Sequence, residues 1–190
     1  MKRNYFILII ALQFFSCQKE ISYQAPNSQV DVYVAGYVES DTTVETYPTY
    51  WKNGKAVRLN FDYGLQAAWA NSIAVSGDDV YVAGYRVQWT PRNIITAGLL
   101  WKNDSAKEFG VGGGVELSSV VISNNDVYVV QRENLWPGTI AKYRKNDSLV
   151  LLVDNSKGCV ASSLAVSGKD VYVAGTGRIG TDSDPVGIAM

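Results

Sequence analysis

Histidine is absent from the 190 residues. Its absence removes the Ser-His-Asp triad, the Cys-His pair and every His-dependent zinc site together. The side chains left with chemical reach are carboxylates, guanidinium groups, indoles and two thiols, Cys17 and Cys159. Two stretches set an indole beside Arg and Pro: Arg86 to Asn93 (RVQWTPRN), with Trp89, and Arg132 to Gly138 (RENLWPG), with Trp136. An exposed Trp beside Arg suits stacking on a sugar or anchoring a protein partner. Turned inward, the same two indoles would cap the ends of packed sheets.

The carboxylates are less organised. Asp41, Glu133 and Asp182 fall in comparable loops, but nothing in their spacing puts two at the separation that glycoside cleavage needs. Asp182 and Asp184 are an incomplete oxygen set for calcium, so no metal is expected. Gly110 to Gly114 (GVGGG) lacks the Lys-Ser/Thr of a phosphate loop and reads as a flexible connection, and no cofactor is expected. Asp31, Asp79, Asp126 and Asp170 recur at one offset and read as turn residues. Asp41-Thr42-Thr43, Asp104-Ser105-Ala106 and Asp147-Ser148-Leu149 resemble a bacterial O-glycosylation signal; ordinary turn sequence is the other reading.

The N-terminus is an address. Lys2 and Arg3 precede an eleven-residue apolar run, Tyr5 to Phe15, too short for a stable membrane helix and right for a secretory signal. It ends at Phe14-Phe15-Ser16-Cys17, which resembles a lipobox with Phe14 where Leu is usual. Residues 1–16 are then a signal peptide, and Cys17 carries the lipid. Each buried CH₂ of its acyl chains contributes roughly 0.8 kcal/mol toward membrane anchoring. Residues 17–29 form a polar tether. Gln18-Lys19-Glu20 resembles the signal that directs some Gram-negative lipoproteins to the outer surface, so an outer-membrane, cell-surface position is expected. Only Cys159 remains in the body at 30–190, so packing and not a disulfide must stabilise it.

Twelve Tyr and five Trp favour strands, and a net charge of −1 gives phosphate backbones nothing to hold. The organising signal is a repeat. DVYVAGY occurs at Asp31 and again at Asp79, followed by DVYVVQR at Asp126 and DVYVAGT at Asp170, at spacings of 48, 47 and 44 residues. Three copies are preceded by a strand and tight turn: SIAVSGD from Ser72, SVVISNN from Ser119 and SLAVSGK from Ser163. Behind them come TYWKNGK from Thr49, LLWKNDS from Leu99 and KYRKNDS from Lys142, then short strands such as AVRLNF and LVLLVD. Asn53-Gly54 is a strong hairpin turn, because both residues tolerate positive φ.

Four short strands per repeat, here A to D, describe a propeller blade. VYVA is apolar on both sides, as stacked blades require. The fold expected is all-β: a β-propeller-like array of four-stranded antiparallel blades, about three plus a partial one. The repeats resemble bacterial lipoproteins whose blades carry VYVAGY and WKNG, a propeller-like family of mostly undefined role. The resemblance covers roughly 30–190 and implies the fold without a function. Three A, four B, three C and three D strands are counted, and Gly187 to Met190 reads as the start of another C strand. A truncated propeller is the expectation. A natural stop, closed by dimerisation or left as an open arc, is the alternative.

Such blades gather the tight A–B and C–D turns at one end and the variable B–C and D–A connections at the other, where binding loops belong. With no catalytic set visible, the expected function is a lipid-anchored binding or scaffold module for a glycan or protein, with Trp89, Trp136, Arg86 and Arg132 as candidate contacts. A polysaccharide-acting enzyme using loop carboxylates is the alternative.

Overall fold

The computed structural model describes residues 30–43, 45–61, 67–112, 114–135, 138–152 and 158–177. The chain divides into two units, Met1–Val30 and Asp31–Met190. The signal, lipidation and tether assignments at 1–29, Trp136, and the C strand expected near 187 lie outside the described residues.

Among the described residues the second unit is all-β, with thirteen strands in four antiparallel sheets. Blade 1 holds β1 (Tyr33–Glu39), β2 (Thr46–Lys52) and β3 (Lys55–Arg58). Blade 2 holds β4 (Ala67–Ser76), β5 (Asp79–Trp89), β6 (Ile94–Lys102) and β7 (Ser105–Gly112). Blade 3 holds β8 (Val115–Ser123), β9 (Asp126–Leu135), β10 (Gly138–Lys145) and β11 (Ser148–Leu151). Blade 4 contributes β12 (Val160–Ser167) and β13 (Asp170–Thr176). This is the blade array expected from the repeat.

Successive sheets pack face to face, and each interface is a separate core. Leu59, Val80, Val82, Leu99 and Trp101 join blades 1 and 2; Ala83, Leu117, Val120 and Val129 join blades 2 and 3; Tyr128, Val130, Cys159 and Leu164 join blades 3 and 4. Val82 and Ala83 are adjacent in β5 and both fully buried, one toward each neighbouring blade. That is why VYVA lacks a polar side. Fully burying a Val side chain is worth roughly 1.5 kcal/mol or more, so each repeat stabilises two interfaces at once.

Polar groups fix the register between blades. Trp101 Nε1 donates to the Asn60 carbonyl at 2.7 Å, and Asn60 N donates to Asp104 Oδ1 at 2.9 Å. Asn71 Nδ2 donates to the Leu117 carbonyl at 3.0 Å, and Val120 N donates to Ser72 Oγ at 3.1 Å. Asn71 is the extra residue of a β-bulge between Ala70 and Ser72, and bulges recur at the same place in β8 and β12. Opposite the β4 bulge sits Gly84, where an added Cβ would lie 1.9 Å from the Trp69 carbonyl oxygen. In blades 2 and 4 the Ala-Gly of the repeat thus answers the bulge of its partner strand, while blade 3 has Val130-Gln131 there.

Candidate functional site

Three of the four repeated Asp residues, Asp31, Asp79 and Asp126, are settled by contacts, and they are structural. In blade 1, Asn53 N donates to the Val32 carbonyl, its Oδ1 accepts from Val32 N, and its Nδ2 donates to Asp31, which also pairs with Lys52 at 2.9 Å. Asp79-Val80 with Lys102-Asn103 and Asp126-Val127 with Lys145-Asn146 repeat the arrangement. Each clasp closes the turn end of a blade. The lysines hold the three carboxyls below their usual range, with the Asn amides assisting.

Of the candidates at the opposite end, Arg86 requires a correction. It is not in a loop: β5 continues through Trp89 and the connection is only Thr90 to Asn93. Arg86 is 5% exposed and its Nε donates to Glu108. The charge is buried because strand alternation turns position 86 toward blade 1, away from the side of Tyr85. Glu133 likewise lies in a strand, its carboxylate accepting from Lys142 Nζ. The glycine run at 110–114 is also shorter as a connection than expected, since β7 extends to Gly112 and β8 starts at Val115. Trp89 ends β5 opposite Ile94, and the pair is 51% and 64% exposed. Asp41 lies at an exposed bend. Among the described residues no three His, Cys, Asp or Glu gather as a metal site.

Arg132 leads to residues that the sequence reading passed over. It occupies the seventh position of its repeat, the place of Tyr37 in blade 1 and Tyr85 in blade 2. Each of the last two is paired across the ladder with an early residue of the A strand: Tyr85 with Trp69, and Arg132 with Glu116. The Trp69 and Tyr85 rings stack at 4.9 Å between centroids and 18° between planes, and Tyr37 meets Trp69 edge-on at 6.4 Å. Arg132 Nη1 lies 3.7 Å from Glu116 Oε2, with side chains 39% and 25% exposed. Burial raises the Tyr85 hydroxyl above its usual pKa; the Glu116 carboxylate adds to this and Arg132 opposes it. The five residues therefore form one row across three blades: three rings, then an ion pair.

The row lies toward the end where B–C and D–A connections emerge. Tyr37 is 46% exposed, and Trp69 and Tyr85 are half-buried. Their rings offer flat apolar surface, and the pair beside them offers fixed donors and acceptors. The signal available in the sequence was the final residue of DVYVAGY, which is Tyr in blades 1 and 2 and Arg in blade 3.

No family model and no curated protein matches the sequence. Among solved structures the chain is similar to a fucose lectin from Kordia zhangzhouensis, determined in complex with methyl-fucoside. The TM-score is 0.44 at 8% identity, covering 66% of this chain and 93% of that one.

Proposed function

We propose that this protein is an exported binding module, lipid-anchored at Cys17 on the cell surface, whose row takes a carbohydrate. The observation that carries this reading is the juxtaposition of Tyr37, Trp69 and Tyr85 with the Glu116–Arg132 pair. A sugar has an apolar C–H face and a rim of hydroxyls that both donate and accept. An aromatic shelf beside a guanidinium and a carboxylate answers both surfaces. Binding is favoured over catalysis because Glu116 and Glu133 are both committed to cationic partners.

The test is a glycan array probed with the full chain and with Trp69→Ala and Arg132→Ala variants. Signal on a defined glycan set, lost in both variants while the fold is kept, supports the reading. Signal that survives both places the site elsewhere. Labelling with radioactive palmitate, abolished by Cys17→Ala, supports the anchor; unchanged labelling refutes it.

A further inference from the structure

We infer that the row takes an extended, uncharged oligosaccharide lying across three blades, with adjacent hydroxyls held by the Glu116–Arg132 pair; this rests on the carbohydrate reading above. Extent follows from the repeat. Tyr37, Tyr85 and Arg132 hold one position on three successive blades, and stacked sheets lie about 10 Å apart. The links run from blade to blade: Tyr37 meets Trp69, Trp69 stacks on Tyr85, β5 packs against β8, and Glu116 of β8 pairs with Arg132. One sugar ring covers part of this path. Several linked rings cover it all.

Lack of charge follows from the pair itself. Arg132 already has Glu116 beside it, so among the described residues of the row no uncompensated cation is left to hold a uronate. A carboxylate placed there would meet Glu116, and like charges at short range repel. A guanidinium donates only and a carboxylate accepts only. Side by side they match two neighbouring hydroxyls, one accepting from Arg132 and the other donating to Glu116. The aromatic half of the row would then carry the following units by their C–H faces.

The experiment is titration calorimetry of the full chain with xylo-, manno- and cello-oligosaccharides of one to five units, and with oligogalacturonides as charged counterparts. For one neutral series, affinity rises about ten-fold or more between one and three units and then levels, while the oligogalacturonides bind at least about ten-fold more weakly. Tyr37→Ala removes the gain from length, so that one and three units bind the variant with equal affinity. Equal affinity for one and three units, with binding still lost in Trp69→Ala, overturns the extended site and spares the carbohydrate reading. Preference for oligogalacturonides overturns the uncharged ligand alone. Binding to none of these, by protein with native near-UV circular dichroism, sinks both.

Discussion

Asn103 holds both backbone polar groups of Val80, which belong to successive peptide planes: its backbone N donates to the Val80 carbonyl at 2.7 Å, and its Oδ1 accepts from Val80 N at 3.0 Å. It does so at φ 55°, as Asn53 and Asn146 do at 52° and 54°. One residue therefore satisfies both backbone polar groups of Val80 at the start of the B strand and reverses the chain between C and D. Asn suits both tasks, since its short amide tolerates the left-handed region and reaches back to the backbone.

Asn103→Ala removes the side-chain bond and strains the turn, and it is expected to lower unfolding free energy by about 1–3 kcal/mol. Asn103→Gly keeps the turn geometry and loses only the amide, so its cost should be about half. Urea denaturation of the two variants checks the order. Equal costs would mean that φ contributes nothing.

The clasps also set a pH profile. Lys102 lowers the Asp79 carboxyl, and Lys52 and Lys145 do the same for Asp31 and Asp126; the three lysines are raised, Lys52 by Tyr33 and then Asp31, Lys102 and Lys145 first by their carboxylates. A lowered carboxyl contributes stability that is present above its unfolded value of 3.8 and lost as pH falls through the folded one. A raised lysine contributes stability present below 10.5 and lost as pH rises through its folded value. Stability from this source should be flat between those limits and fall outside them. The groups are exposed, so added salt should flatten both limbs. Denaturant midpoints from pH 2 to pH 11.5 test this, and Asp79→Asn should make the acid limb shallower.

Gly84→Ala drives a Cβ into the Trp69 carbonyl oxygen at 1.9 Å, and the contact is backbone, which cannot swing aside. A loss of about 1–3 kcal/mol is expected. Because Trp69 stacks on Tyr85 across the same ladder, the variant should also change tryptophan fluorescence of the folded state. A destabilised variant with a native emission spectrum would separate the bulge from the row.

The architecture was legible because it is periodic. Val82 and Ala83 each face a different blade, so apolarity on both sides of VYVA already encoded stacking, and the 44–48-residue spacing encoded the unit. The candidate site was less legible, because strand ends are set by pairing and not by composition. RVQW reads as a loop beside Thr90 and Pro91, yet its ladder with β6 runs to Trp89↔Ile94, and that carries Arg86 inward. The row was missed for a related reason. Trp69 and Tyr85 are 16 residues apart and become a stack only through the β4–β5 register, whose bulge at Asn71 no local pattern announces.

Arg86 and Glu108 test whether the inward charge is structural. Arg86 is nearly buried and its partner's side chain is 23% exposed. Removing one member leaves the other uncompensated, so Arg86→Ala should cost about 3–5 kcal/mol. The double variant Arg86→Met with Glu108→Leu removes both charges and keeps the volume, and it should recover most of that loss. The double variant leaves Tyr37, Trp69, Tyr85, Glu116 and Arg132 themselves in place, so it should keep any ligand that the row binds. Calorimetric melting and the same glycan array, run on one preparation, decide both points: recovered stability with lost binding would return Arg86 to the list of ligand contacts.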